Sequence, residues 1–274
     1  MQLKIFDVEH GACAMLTADN ATRLMIDCGH NASTGWKPGT YLRLRGITHL
    51  DMLAVTNYDE DHVSGANNLF DNIDVRWLWR NPSVSATQIQ WLKSEDGMGQ
   101  GIERLVTEIR DNFSGSSPSL FPSPDPNFNG VTERMGYHNS FPVFDDENNL
   151  SLVVFMKCHG VGVMFTGDLE SDGFNRLIAD NAGFRRALGE TRIFVAPHHG
   201  REGGCCEAAL PFLSNVNFVV ISDKGYMHDT QETMPFYYRV ANGGLYGGET
   251  RYVLTTRNDG EIIFNFNTSG WWGG

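Results

Sequence analysis

The most informative segment of this chain is Leu53-Ala54-Val55-Thr56-Asn57-Tyr58-Asp59-Glu60-Asp61-His62-Val63-Ser64-Gly65. An apolar strand ends here in a group of acidic and imidazole side chains. Asp59 and Asp61 flank Glu60, so the three carboxylates repel one another unless a cation lies nearby. Taken alone, the segment is explained better by a helix N-terminus, where acids satisfy free amides and the helix dipole.

Three other segments place an acid or a histidine where an apolar strand meets a glycine-containing turn. They read Met25-Ile26-Asp27-Cys28-Gly29-His30, Met164-Phe165-Thr166-Gly167-Asp168 and Val195-Ala196-Pro197-His198-His199-Gly200. Polar groups that converge at strand ends are typical of an active site on an α/β scaffold. Each has an ordinary alternative, with Asp27 and Asp168 as turn residues and one histidine packed in the core. Together, the four segments favour a site.

Alternating apolar and polar residues predict strands in both halves of the chain. The predicted strands are 3–8, 12–17, 23–27, 52–56, 75–79, 151–157, 162–166, 192–196, 218–222, 252–256 and 261–265. The predicted helices are 41–46, 64–70, 88–112 and 171–182. Two strand-rich halves, each with helices, predict two sheets packed face to face with helices outside.

The length of 274 residues and the 41% hydrophobic content predict a single α/β domain over residues 1–274. Within it, we expect a surface insertion at about 88–146. Its portion 113–145 carries Ser-Gly-Ser-Ser-Pro-Ser and Pro-Ser-Pro-Asp-Pro and is too rich in turn formers for regular structure. A lid, a dimer contact and a disordered loop all stay open for it.

Charge and composition exclude some functions. The net charge is −12 and no run of Lys or Arg exceeds two residues, which argues against an extended nucleic-acid footprint. A buried dication could still reverse the sign locally. No apolar run approaches the ~18 residues of a membrane span, and the N-terminus lacks a leader pattern, so we expect a cytoplasmic protein. The five cysteines lack the CxxC spacing of a structural zinc site.

These residues resemble the metallo-β-lactamase superfamily, and more closely the branch found as the C-terminal domain of the DNA-uptake competence protein ComEC. The resemblance spans most of the chain, in segments that occur in the same order: 6–12, 24–29, 59–65, 148–153, 165–168, 197–200, 219–223 with 226–228, and 255–262. It implies an α/β fold of the αββα sandwich type, in which two mixed β-sheets pack face to face with helices outside. It also implies a metal-dependent hydrolase.

By this resemblance, Asp61 and His62 serve one metal ion, Asp168 bridges, and a histidine of the 198–199 pair completes the second site. The superfamily loop reads His-x-His-x-Asp-His, whereas Asn57 and Asp59 stand here at its first two histidine positions. Aspartate at the second position is familiar in the competence branch, but asparagine at the first weakens one metal site. The full set of candidate metal-site residues is Asn57, Asp59, Asp61, His62, Asp168, His198, His199, Asp27 and Asn149, with Asn148 as the alternative to Asn149.

An oxygen-rich ligand set predicts one or two ions of Mn²⁺, ahead of Zn²⁺. Two ions would lower the pKa of a bridging water. We expect Asp61 to orient or deprotonate that water, and His228 to contact substrate or protonate the leaving oxygen. An exposed turn histidine is the ordinary alternative for His228.

The predicted function is a metal-dependent phosphodiesterase or nuclease that acts on a short phosphodiester or nucleotide substrate. One alternative is a lactone, thioester or β-lactam hydrolase, against which Asn57 and Asp59 argue because such enzymes show a histidine-rich loop. Another is a catalytically degenerate binding or signalling subunit that holds at most one weakly bound metal. A protein partner or a homo-oligomer stays open.

Overall fold

A computed structural model describes residues 1–95, 97–114, 125–224 and 232–274. The strands are β1 Gln2–Ile5, β2 Ala14–Thr17, β3 Arg23–Ile26, β4 His49–Leu50, β5 Met52–Ala54, β6 Asp74–Val75, β7 Leu78–Trp79, β8 Val131–Tyr137, β9 Val153–Cys158, β10 Val161–Phe165, β11 Thr191–Val195, β12 Phe218–Ile221, β13 Gly244–Tyr246, β14 Glu249–Arg251, β15 Val253–Thr255, β16 Ile262–Asn267 and β17 Gly270–Gly273. The helices are α1 Pro38–Leu44, α2 Glu60–Val63, α3 Ala66–Asn72, α4 Ala86–Leu92, α5 Gln100–Asp111, α6 Ser171–Asp180, α7 Ala182–Glu190, α8 Met234–Val240 and α9 Thr256–Asp259.

The strands form two large mixed sheets and a small one. The first large sheet has the order β14-β13-β17-β16-β1-β2-β3-β5-β7, and the second has the order β15-β12-β11-β10-β9-β8. Strands β3, β5 and β7 run parallel to one another, and so do β10, β11, β12 and β15. Strands β4 and β6 pair separately.

Three hydrophobic clusters define four layers. The central cluster joins both large sheets, with Leu3 and Phe264 from the first and Val154 and Val220 from the second. A second cluster packs α1, α3, α4 and α5 on the outer face of the first sheet, and a third packs α6, α7 and α8 on the second. Because successive side chains of a strand face opposite ways, Val154 lies between the sheets while Val153 faces the helices. The predicted αββα sandwich is confirmed.

The prediction of one continuous helix over 88–112 is wrong, because two separate helices, α4 and α5, occupy this region. Helix α4 begins at a capping box, in which the Ser85 hydroxyl accepts from the Gln88 amide N–H and the Gln88 side chain accepts from the Ser85 N–H. The helix ends before Gly97, whose φ of 82° lies in the left-handed region that favours glycine. Helix α5 then begins at Gln100 and buries Ile102, Leu105, Val106 and Ile109 against the first sheet.

The expectation that 113–145 lacks regular structure is also wrong. Strand β8 pairs antiparallel with β9, from Val131 opposite Cys158 to Tyr137 opposite Val153, and forms an edge of the second sheet. The Pro-rich stretch precedes this strand and does not interrupt it. Residues 115–124, which make up most of that stretch, lie outside the described residues. The expectation of a lid falls on these residues as well.

The two halves of the chain do not map onto the two sheets. Strands β13, β14, β16 and β17 return to the first sheet, where β16 pairs with β1 and places Asn265 opposite Gln2. Alternation predicts that a segment is a strand but carries no information about its partner. Among the described residues, no helix has the length and apolarity needed to cross a bilayer.

Two glycines bring the loops after β1 and β3 against the backbone of α2. A Cβ added at Gly11 or Gly29 would lie 2.5 Å from the carbonyl oxygen of Asp61. The Cys28 N–H donates to the carbonyl oxygen of His62 at 2.8 Å, which fixes the same loop to the same helix. The position of Asp61 and His62 therefore depends on this close packing.

We predict that Gly29→Ala lowers the free energy of unfolding by about 1–3 kcal/mol, because the added methyl group overpacks against backbone that cannot move away. The matched control is Gly189→Ala in α7, where a Cβ would meet only the Phe212 carbonyl oxygen at 3.8 Å. This control should be neutral or stabilising, by up to about 1 kcal/mol, because alanine favours helix. Urea unfolding of both variants measures the difference. Equal stability of the two would contradict the packing argument.

Candidate metal centre

The ends of parallel strands from both sheets meet at one edge of the sandwich. Asp27 directly follows β3, Asp61 and His62 lie in α2 after β5, and Asp168 and His199 come after β10 and β11. The carboxyl ends of parallel strands lie at the same edge of a sheet, and the two sheets face each other there. This geometry brings together five side chains that are far apart in sequence.

The His62 imidazole lies between two carboxylates. Its Nδ1 is 2.9 Å from Asp27 Oδ2, and its Nε2 is 2.9 Å from Asp168 Oδ1. All three side chains are buried. Thr56 donates its backbone N–H to Asp27 Oδ1 at 2.7 Å and its hydroxyl to Asp27 Oδ2. Asp27 is thus held rigidly and in turn orients the His62 ring.

The His199 imidazole presents Nε2 to the same place. Its Nδ1 lies 3.2 Å from the carbonyl oxygen of Ser222 and must donate to it, so Nε2 is the nitrogen that offers a lone pair once its own proton is lost. That buried Nε2 lies 3.3 Å from Asp61 Oδ2 and 3.6 Å from Asp168 Oδ1, and it has no hydrogen-bond partner among the described residues. A buried polar atom without a partner is costly unless something else binds it.

The geometry defines a compact donor cluster. One ligand atom from each of Asp61, His62 and His199 lies within 4.8 Å of the other two, and Asp168 contacts both imidazoles. We call these four residues the donor cluster. Asp61 is its most open member, with a side chain 35% exposed against 4% for Asp168.

Opposite charges shift the pKa values within the donor cluster. Although burial alone would lower the pKa of His62, Asp168 and Asp27 raise it well above 6.5. The pKa of His199 is raised in the same way, with Asp168 and Asp61 outweighing burial. Burial would raise the pKa of Asp168, but His62 and His199 hold it below its usual range. In the protein without an ion, positive imidazoles therefore balance ionised carboxylates.

The backbone is constrained at three points of the centre. Asp27, His198 and His199 adopt φ values of 58°, 49° and 52°, in the left-handed region that residues other than glycine rarely adopt. Such conformations cost of order 1–3 kcal/mol each and persist where surrounding contacts impose them. At His199 this turn directs Nε2 towards Asp61.

Several predicted site residues lie outside the donor cluster. The carboxylate of Asp59 pairs with the ammonium of Lys93. The Nδ1 of His198 lies 3.1 Å from Glu170 Oε1, and its Nε2 accepts from Arg201 at 3.1 Å. His199 is therefore the member of the histidine pair that faces Asp61 and Asp168.

The predicted asparagines are also engaged elsewhere. Asn57 is fully buried, its Oδ1 accepts from the Asp59 N–H at 2.7 Å, and its Nδ2 donates to Ser151 Oγ at 3.1 Å. Asn149 accepts from the Gly173 N–H at 2.8 Å and donates to Asp146, contacts that fix the start of α6. Metal ligation by either residue stays a prediction. His228 lies outside the described residues.

Sequence reasoning missed the residues that support the donor cluster. These are Thr56, Ser151 and Ser222. It also missed Lys93 and Glu147, which form ion pairs beside the donor cluster. Thr56 and Ser222 each lie just after a buried strand, the position that identified Asp27 and Asp168, so the same pattern could have found them. Lys93 carries no such signal, because it follows a helix far along the chain from Asp59.

The donor cluster fits a divalent ion. Two imidazole nitrogens and two carboxylates converge. The other nitrogen of each ring, Nδ1, is held by a hydrogen bond, to a carboxylate in His62 and to a backbone carbonyl in His199. This is the outer-shell support that metal-binding histidines usually have. The unpartnered Nε2 of His199 is accounted for if it ligates such an ion.

A family model of the metallo-beta-lactamase superfamily matches residues 7–213. The chain belongs to this superfamily of metal-dependent hydrolases. It is 25% identical over 238 residues to ComE operon protein 3 of Bacillus subtilis (strain 168), a match that covers 82% of this chain. The chain spans about a quarter of the length of that relative, 26%. The predicted resemblance to the superfamily and to its ComEC branch is confirmed.

Solved structures show similarity at lower identity. The chain is similar to a zinc-dependent hydrolase of the same superfamily from Thermotoga maritima, with a TM-score of 0.45, 11% identity and coverage of 92% of this chain and 97% of that one. It is also similar to a metal-dependent hydrolase from Parabacteroides distasonis ATCC 8503, with a TM-score of 0.44, 13% identity and 93% coverage of both chains. A diphosphatase from the PhnP family gives a TM-score of 0.41 at 9% identity, covering 96% of this chain and 97% of that one.

We predict that divalent-ion binding releases about one to two protons per chain near pH 7 and tightens as pH rises. The pKa values of His62 and His199 are raised, so an ion must displace their protons, while the ionised Asp168 has none to lose. Calorimetric titration in two buffers of different ionisation enthalpy counts the protons. His62→Gln should reduce the count, and the half-exposed His49→Gln should not. Binding without proton release would contradict the assignment.

Proposed function

We propose that this chain is a metal-dependent phosphodiesterase that hydrolyses short phosphodiester or nucleotide substrates. The carrying observation is the donor cluster, in which Asp61, His62 and His199 converge within 4.8 Å beside Asp168. A divalent ion there would supply Lewis-acid polarisation of the scissile group and a lowered pKa for water. The remaining requirements fall to the chain's own side chains.

Two groups of residues divide this work. His62 and His199 hold their Nε2 atoms in place because Asp27 and the Ser222 carbonyl fix the opposite edge of each ring. Asp61 is the acid in the donor cluster that solvent reaches most easily. An ionised, partly exposed carboxylate at this position can orient an attacking water and accept its proton.

Charge supports a short anionic substrate. A net charge of −12 disfavours a long polyanion. One cation nevertheless lies two residues after His199: Arg201 contacts the His198 ring through one guanidinium nitrogen at 3.1 Å. A planar guanidinium suits a phosphate oxygen through its terminal nitrogens. We therefore propose that Arg201 contacts the phosphoryl group.

The donor cluster bears on the choice of metal. Two imidazole nitrogens join the carboxylates, so the ligand set is less dominated by oxygen than the sequence alone indicated. Imidazole and carboxylate together suit either Mn²⁺ or Zn²⁺. We retain Mn²⁺ as the proposed ion, to be tested against Zn²⁺.

We predict that metal-free protein resupplied with Mn²⁺ or Zn²⁺ hydrolyses bis-p-nitrophenyl phosphate, cyclic nucleotides or short single-stranded DNA. Asp61→Ala should lower kcat/KM by at least about 100-fold, because it removes both a ligand and the group that orients water. Asp111→Ala, an acid at the exposed end of α5 paired with Arg110, should leave the rate unchanged.

Two outcomes would contradict the proposal. Turnover of a lactone, thioester or β-lactam substrate without phosphodiester cleavage would establish an acyl hydrolase. Absence of turnover on every substrate, in protein that has bound its ion, would establish a binding or signalling subunit.

A further inference from the structure

Lys93 is a buried cation next to the donor cluster. It follows α4, and its ammonium contacts the carboxylate of Asp59 and, at 2.5 Å, that of Glu147. Its side chain is only 4% exposed. Burying a lone ammonium is expensive, and two carboxylates on one nitrogen supply the compensation. The three groups form a closed unit, which we call the lysine clamp.

Hydrogen bonds through Asn57 and Ser151 connect the lysine clamp to the donor cluster. Asn57 holds the backbone of Asp59 through its Oδ1, and its Nδ2 reaches the Glu147 carbonyl at 3.4 Å and Ser151 Oγ at 3.1 Å. The same Ser151 oxygen accepts the N–H of Asp168 at 3.1 Å. The acids of the lysine clamp are therefore fixed in place by hydrogen bonds that continue into the donor cluster.

We propose that Lys93 is a built-in cation that fills a second cation position beside the donor cluster, so that the native chain binds one divalent ion and removal of Lys93 opens a second divalent-ion site at Asp59 and Glu147. The two carboxylates are the oxygen ligands that hard divalent ions prefer. In the native chain, their shared contact with Lys93 excludes such an ion by charge and by volume. Without the ammonium, two adjacent carboxylates repel each other, and a divalent ion relieves the repulsion.

An ordinary structural ion pair gives a different expectation. If Lys93 only tied α4 to the loop before α2, its loss would lower stability and leave the number of bound ions unchanged. Lys157 serves as the comparison, because it also contacts two carboxylates, Glu133 at 3.3 Å and Glu190 at 2.7 Å. Arg186 pairs with both of these carboxylates as well, so they keep a cation when Lys157 is removed.

The experiment counts Mn²⁺ ions per chain by calorimetric titration and by elemental analysis after desalting, on the whole 274-residue protein. We expect one ion for the native chain, two for Lys93→Ala and Lys93→Met, and one again for Lys93→Ala combined with Asp59→Asn. Lys157→Ala should stay at one. We also expect Mn²⁺ to raise the Tm of Lys93→Met more than that of the native chain, because two ions bind the folded state.

Two ions in the native chain would overturn the proposal. So would a count of one for both Lys93 variants, or a second ion that survives Asp59→Asn. Lys93→Met keeps the aliphatic stem, so its count stands even where Lys93→Ala fails to fold. The counts require no turnover, so failure of the proposed phosphodiesterase activity would leave this test unaffected.

Discussion

The contact on which the rest of the centre depends is the buried His62 imidazole held between Asp27 and Asp168. Asp27 comes from the first sheet and Asp168 from the second, so one ring links the two halves of the sandwich at the edge where the strands end. Both ring nitrogens face carboxylates at 2.9 Å, which a neutral imidazole cannot satisfy with two donated hydrogen bonds. Positive charge is therefore required at this point, either as a proton on His62 or as a bound ion.

That requirement explains why the surrounding backbone is so tightly fixed. Gly11 and Gly29 allow two loops to approach the Asp61 carbonyl, and Asp27 and His199 are held in left-handed conformations. Each of these features costs conformational freedom or strain. Together they place His62 and His199 with their Nε2 atoms towards Asp61 and Asp168. The fold thus gives up some stability for a preformed arrangement of charge.

The acids of the Leu53–Gly65 segment divide between two kinds of cation. Asp61 faces two imidazoles and is suited to a divalent ion, whereas Asp59 is paired with the ammonium of Lys93. Asn57 separates the two environments and has its polar atoms engaged in hydrogen bonds on both sides. An asparagine in place of a histidine thus acts within a complete hydrogen-bond network, and the neighbouring charge is supplied by the chain itself.

Much of this could be predicted from the sequence, because parallel strands deliver their ends to one edge. Asp61, His62, Asp168 and one histidine of the 198–199 pair were placed together on that basis. The partner of Asp59 could not be predicted, since Lys93 follows a separate helix and no periodicity connects it to the strand. The sequence does not predict strand β8, because the Pro-rich residues before it indicate irregular structure. It does not predict the return of β16 to β1 either, because alternation does not identify the partner of a strand.

The most direct test of this account is a crystal structure of the Mn²⁺-loaded chain with anomalous diffraction at the manganese edge. The account predicts one anomalous peak, within about 2.0–2.6 Å of His62 Nε2, His199 Nε2 and carboxylate oxygens of Asp61 and Asp168, with Lys93 still between Asp59 and Glu147. A peak between Asp59 and Glu147, or the absence of a peak beside His62, would contradict it.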